Sequence, residues 1–225
     1  MGATLGTEKP RKGHKGMGME GAVARWYARN TWKSIEQFRK LARSLAGQLE
    51  SGSSVLEVAP GPGYLAIELA KEGRFRVVGL DISKTFVAMA AAHAKDVGVQ
   101  VEFHLGNASA MPFDSNSFDM IVCRAAFKNF AEPLGAIDEM YRVLKTGGRA
   151  LIFDLRPDAS KADIAAEVDG MKLGWLNSLI TRLTLQWLLS RAHSQETFRQ
   201  MAAQTPFKTC AITEDSIGLE VTLKK

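Results

Sequence analysis

Two acidic residues, with a glycine turn between them, are the groups in this chain best placed to do chemistry. Glu57 opens the run Glu57-Val58-Ala59-Pro60-Gly61-Pro62-Gly63, and Asp81 closes Val78-Gly79-Leu80-Asp81. Glycine lets a backbone turn sharply and approach a ligand closely, because no Cβ intervenes. A carboxylate at Glu57 would meet a charged, amine-bearing group. One at Asp81 can accept both hydrogen bonds of a ribose diol. The pair therefore describes a pocket for a nucleoside with a cationic arm.

A dinucleotide is the competing ligand. Its G-x-G-x-x-G spacing would be met by Gly61, Gly63 and Ala66, since alanine is tolerated in the third slot. Glu57 argues against it, because a carboxylate aimed at the turn repels a pyrophosphate seated on a helix N-terminus. S-adenosylmethionine (SAM) carries a ribose, an ammonium and a sulfonium but no phosphate. The charge pattern favours SAM.

The elements that must hold these residues alternate. Residues 54–59 read as a short apolar strand, 61–63 as a tight turn and 64–72 as a helix; a second strand covers 75–80 and a helix 84–97. Further strands are expected at 99–104, 118–123 and 149–155, with a helix at 132–144 before the last of them. Such alternation implies a parallel sheet with right-handed crossovers and helices on both faces. Two helical patterns at about 20–30 and 33–49 precede the first strand. Residues 207–213 and 218–223 read as an antiparallel hairpin around 214–217. The expected fold is α/β: a Rossmann-like, seven-stranded, mostly parallel sheet with a C-terminal antiparallel hairpin. Between Pro157 and that hairpin, residues 161–204 look wholly helical, with Leu173, Leu176, Ile180, Leu183 and Trp187 on one stripe. The stripe fits a lid over an apolar acceptor, which is the first choice, a homodimer face, a membrane-touching surface, or ordinary packing on the sheet.

From Val55 to Asp154 the chain resembles a class I SAM-dependent methyltransferase of the group that includes ubiquinone/menaquinone-biosynthesis enzymes. The glycine run is similar to that family's motif, with Ala59 in a slot often held by glycine. The resemblance implies cofactor contacts from Glu57, Gly61, Pro62 and Gly63. It makes Asp81 the ribose-binding acid and Ile82 the apolar platform for the adenine. Gly106-Asn107-Ala108, with Met111-Pro112-Phe113, looks like the loop that reads the adenine edge, Asn107 standing where an aspartate is usual. Phe118-Asp119-Met120-Ile121-Val122 resembles the fourth strand, and Arg142 to Gly148 the turn before the fifth. In similar enzymes a helix before the first strand folds over the cofactor, which would bring Tyr27 to its methionine part; plain packing is the other reading of Tyr27 and Trp26.

Methyl transfer from a sulfonium needs alignment and water exclusion, so no fixed catalytic signature is expected. The fourth strand runs into Cys123-Arg124-Ala125-Ala126-Phe127-Lys128-Asn129-Phe130, beside the expected sulfonium position. Arg124 could bind the cofactor's carboxylate or an anionic acceptor, or form a surface ion pair. Phe127 and Phe130 could wall the acceptor pocket or pack in the core. Cys123 reads as a small buried hydrophobe. His193 is the one candidate base, against a structural role.

The chain has 225 residues, 46% of them hydrophobic and 24% charged, enough for one domain with a sizeable core. Residues 1–18 read as a flexible basic tail, with Lys9, Arg11, Lys12 and Lys15 against Glu8, and residues 19–225 as a single domain in which 161–204 is the lid or insertion. The net charge of +5 owes part of its size to that tail, so it does not by itself call for a nucleic acid. Two cysteines without metal-ligand spacing give no disulfide framework and no metal site, and place the chain in the cytoplasm. No apolar run reaches the roughly 20 residues of a membrane span. The expected activity is SAM-dependent methyl transfer to a small-molecule acceptor at O, N, S or C. The alternatives are a methyltransferase acting on RNA or protein, and a noncatalytic SAM-binding protein.

Overall fold

The computed structural model describes residues 13–15, 18–171 and 174–225. Leu173 of the apolar stripe, and residues 1–12, 16 and 17 of the expected tail, lie outside the described residues. Seven strands form one sheet in the order β3-β2-β1-β4-β5-β7-β6: β1 (Ser54–Val58), β2 (Arg76–Asp81), β3 (Glu102–Leu105), β4 (Phe118–Arg124), β5 (Leu144–Leu155), β6 (Ala211–Glu214) and β7 (Gly218–Lys224). The first five are parallel, while β7 runs antiparallel to both β5 and β6. The hairpin is thus inserted with its second strand against β5 and its first at the edge.

Alternation along the strands divides the core into two layers. Leu56, Val58, Ile121 and Cys123 point to one face, where they meet α5 (Pro133–Val143) and α8 (Gln195–Gln204) through Ile137, Met140, Phe198 and Met201. Val55, Met120 and Val122 point to the other, against Phe38, Leu45, Leu65 and Leu69 of α2 (Ile35–Ala46) and α3 (Tyr64–Ala70). A strand buried on both faces reads as a near-continuous apolar run, which is what Ser54–Val58 and Phe118–Arg124 show.

The remaining helices are α1 (Gly21–Trp32), α4 (Lys84–Asp96), α6 (Lys161–Gly170) and α7 (Trp175–Leu189). Side-chain caps start several of them: Ser83 Oγ accepts from Phe86 N at 3.1 Å ahead of α4, and Ser160 and Asp163 form a reciprocal capping box on α6. The helical stretch expected over 161–204 is divided into α6, α7 and α8. The strand expected from Phe207 begins later, at Ala211: Lys208 adopts φ 64°, and Phe207 is buried with its ring 5.0 Å edge-on from Tyr141. Anchoring Phe207 in the core holds Thr205–Cys210 off the sheet.

Candidate functional site

Strand order reverses at β1, which pairs with β2 on one side and β4 on the other, and ligands of open α/β sheets bind beyond the carboxyl ends at such a point. Three strand ends converge there, carrying Ala59, Asp81 and Arg124. Ala59 (φ 57°), Gly61 (φ 54°) and Gly63 (φ 82°) all take the left-handed backbone conformation, as does Ala125 (φ 57°) just past β4. For alanine this costs about 1–2 kcal/mol, and such outliers cluster at functional sites. A Cβ on Gly63 would come within 2.8 Å of Ala90 Cβ and 3.0 Å of the Phe103 ring, so this glycine serves close helix–strand packing.

Asp81 ties the turn together. Its Oδ2 accepts from Gly61 N and its Oδ1 from Ser83 N, each at 2.9 Å, and burial pushes its pKa up against the pull of those bonds. Asp81, Ile82, Asn107, Ala108, Gly61, Tyr27, Arg124 and Phe130 all face one cavity. Asn107 Oδ1 also accepts from Ser109 N at 3.1 Å, which fixes the loop after Gly106. Arg124 lies with its guanidinium 4.5 Å from the Phe38 ring centre.

Other candidates stand back from the cavity. Glu57 is buried behind the turn, where its Oε2 accepts from Ala66 N of α3 at 2.8 Å. Burial pushes its pKa up to about 8, opposed by that hydrogen bond and by Arg124. It therefore braces the turn from below. Pro62 accepts at its carbonyl oxygen 3.0 Å from His93 Nδ1, a second brace. Phe127 is fully buried and sits one layer beneath Phe130, their ring centres 5.2 Å apart. His193 packs edge-on against Phe127 and Phe198, and burial, with Lys15 nearby, lowers its pKa. It does not face the cavity.

Several contributors escape sequence reasoning. Gly13–Lys15, inside the expected tail, lies along the cavity mouth: Lys15 N donates to Asn129 O at 2.8 Å, and Gly13 packs on Ile82 and Asn107. Glu20 accepts from Lys84 N and Thr85 N at 3.0 Å each, and Ser83 Oγ donates to Met19 O at 2.8 Å. Beneath the β4 end, Lys128 Nζ meets Asp154 Oδ1 at 2.7 Å with both side chains buried. Only Ser83 left a signal, as a serine directly before a helix. The other contacts join residues far apart in the chain, with no motif to connect them.

A carboxylate at the ribose position, an apolar platform at Ile82, an amide at Asn107 and, among the described residues lining the cavity, no lysine or arginine other than Arg124 suit a cationic nucleoside without phosphates. Comparison with known proteins agrees. A family model described as "Methyltransferase domain" matches residues 56–152, from β1 through β5. Over residues 56–152 the chain carries a methyltransferase domain of the class I, SAM-dependent kind. SAM is the cofactor of that domain, and the residues facing the cavity are suited to hold it. A demethylmenaquinone methyltransferase of Deinococcus radiodurans is 36% identical over 107 residues, 47% of this chain and 44% of that protein. A ubiquinone/menaquinone biosynthesis C-methyltransferase UbiE of Escherichia fergusonii is likewise 36% identical over 107 residues, covering 46% and 43%. The chain thus spans less than half the length of these curated relatives. A solved SAM-dependent methyltransferase structure from Methanococcus maripaludis covers 98% of this chain and 97% of its own, with a TM-score of 0.71 at 19% identity, a likeness of fold alone. The methyltransferase domain has no group of His, Cys, Asp and Glu among its described residues that could hold a metal ion.

Proposed function

We propose that the chain is an enzyme that transfers the methyl group of SAM to a small-molecule acceptor, and that the acceptor is a quinol ring methylated at carbon. One observation carries the small-molecule part: Arg124 and Ala125 line both the cofactor cavity and a second, adjoining one, bounded by Leu41, Phe153, Leu155 and Leu219. Gln37 and Glu167 connect that second cavity to an open groove between α1–α2 and α6–α7. A ring entering by this groove reaches the end of β4 without displacing the nucleoside contacts. The quinol part is supported by the activities named for the two bacterial relatives.

SAM supplies an activated methyl group on a sulfonium when bound. The chain's own contribution is position and charge. Asp81 holds the ribose, and Ile82 with Asn107 holds the base. The Arg124 guanidinium, at the junction of the two cavities, favours the ionised form of a phenolic oxygen, and that raises the nucleophilicity of the neighbouring ring carbon. Phe130 walls the cofactor cavity, and the second cavity is mixed, with Leu41, Phe153, Leu155 and Leu219 set among Asp154, Glu167, Glu214, Asp215 and Glu220. The α6–α7 pair then serves as the lid over this route.

The test is incubation with methyl-labelled SAM and a demethylated naphthoquinol carrying a short side chain, with the product read by mass spectrometry. A ring-methylated product supports the reading. Label in RNA or protein from a cell extract, with none in quinols or other metabolites, overturns it in favour of a macromolecular acceptor. SAM binding without label in any fraction overturns it in favour of a noncatalytic binder.

A further inference from the structure

All four tryptophans of the chain, Trp26, Trp32, Trp175 and Trp187, are more than half exposed. Two of them stand on α7. There they lie with Leu176, Leu179, Ile180 and Leu183, each at least half exposed, and Trp175 is 80% exposed. The helix is not apolar on that side for want of an inner face: Leu185 and Leu189 already pack on Ile164 and Val168 of α6, and Arg182 meets Asp169 at 2.7 Å. Leu176, Ile180, Leu183 and Trp187 repeat at helical spacing, so the outer stripe is continuous. Trp26 of α1 and Ile180 of α7 line the same groove and extend the apolar area beyond one helix.

Charge tells what covers it. Between Asp169 and Glu196 the chain has no acidic residue, while it has Lys172, Arg182 and Arg191. Arg191 lies over the Trp187 ring at 4.9 Å, at the C-terminal end of the stripe. Its guanidinium also donates to Lys15 O at 3.4 Å. Exposed leucines flanked by tryptophans, with the Arg191 guanidinium at one end, match an anionic bilayer: the apolar side chains enter the headgroup boundary and the guanidinium meets lipid phosphate. Among the described residues no helix is long and apolar enough to cross a membrane.

We propose that the outer face of α7, with Arg191 at its C-terminal end, docks this protein on an anionic lipid bilayer, lying in the interface plane. The face borders the proposed acceptor groove at Trp26 and Ile180, but Leu176 and Leu183 line neither that groove nor the two cavities, so substitutions there test docking separately from the acceptor reading. The full chain is sedimented with vesicles of phosphatidylcholine alone and of phosphatidylcholine mixed with phosphatidylglycerol. Tryptophan fluorescence is followed in parallel with brominated lipid as quencher. Binding to the mixed vesicles is expected, with quenching, and raised salt weakens it. The double variant Leu176→Ser/Leu183→Ser binds the same vesicles at least about tenfold more weakly, since apolar burial drives insertion, while its SAM affinity stays at the parent value. Either of two results overturns the proposal: a parent chain that stays in the supernatant with both vesicle types, or a variant that sediments like the parent. A parent dimer that the variant dissolves, with no vesicle binding, reassigns the face to a second copy of the chain. No acceptor enters these measurements, so failure of the quinol reading leaves them unaffected.

Discussion

Strands β1 and β4 and helix α7 each carry an apolar pattern at a regular spacing, and the fold uses them in opposite ways. At β1 and β4 the pattern is buried on both sides: Leu56, Ile121 and Val122 are fully inaccessible, and each neighbour is another strand or a helix. On α7 the stripe points outward and its inner side rests on a small separate cluster of α6. Periodicity shows that one face of a helix differs from the other. It does not say whether the distinct face meets the sheet, and only the packing decides that. Burial makes the strand ends intolerant, and its absence leaves α7 free to change. Substitutions in the two regions measure how far this difference extends.

The largest effect is expected at Lys128→Ala. The buried pair with Asp154 is reinforced by Lys128 N and Leu155 N donating to that carboxylate at 2.9 and 2.8 Å, and by Lys128 Nζ donating to Ala125 O at 2.7 Å. Removing one partner leaves the other charge uncompensated in the core, at a cost of about 3–5 kcal/mol. Urea unfolding reads this directly. A loss below about 1 kcal/mol, the value of an exposed pair, would show that water reaches the β4 end.

Glu57→Gln separates the two regions by pH. The folded-state pKa of Glu57 is about 8, above its ordinary value of 4.5, so the native state favours the protonated carboxyl. Stability from this group is full below about pH 4.5 and declines as pH rises towards 8, because the unfolded chain releases the proton first. Glutamine keeps the acceptor for Ala66 N and has no proton to lose. The variant should therefore gain on the parent as pH rises from 5 to 8.5, reaching about 2–4 kcal/mol. Unfolding curves at the two pH values check it, and a constant difference would place the Glu57 carboxylate in contact with water.

Asp81→Ala comes next, through affinity. The carboxylate accepts from Gly61 N and Ser83 N and faces the cavity, so its loss frees the turn and removes the ribose acceptor. Charged hydrogen bonds are worth about 1.5–3 kcal/mol, hence a drop in SAM affinity of about 10- to 100-fold by calorimetry. Unchanged affinity would overturn the site assignment. His193→Ala, behind Phe127, should leave SAM affinity at the parent value.

Much of this was legible beforehand because it is local. The β1 turn, the acid at the end of β2 and the break after Pro157 each announce themselves within a few residues. Placement across the chain was not. Glu57 and Asp81 are both acids at strand ends, yet Asp81 faces the ligand cavity and Glu57 lies under α3, because Glu57 pairs with Gly79, two residues short of Asp81, and so sits deeper along the strands. Phe127 and Phe130 looked like a pair, but a short helical turn between them sends one inward. Gly13–Lys15 carries no motif at all, and its position depends on backbone groups of Asn129 and Ala131 that no local pattern reveals.

The smallest effect is the sharpest statement of the comparison. Leu183 is a large apolar residue in the middle of a helix, and by type it belongs in a core, where truncation to alanine costs about 2–5 kcal/mol. It is 58% exposed, facing away from Ile164 and Val168. Alanine has the higher helix propensity, and exposed changes usually fall within about 0.5 kcal/mol of zero. Leu183→Ala should therefore leave the urea midpoint of the isolated protein almost where it was, and Ile121→Ala should lower it strongly. A loss of several kcal/mol at Leu183, falling with protein concentration, would mean that a second copy covers the stripe in solution, and that the contrast between the two regions holds only for a single chain.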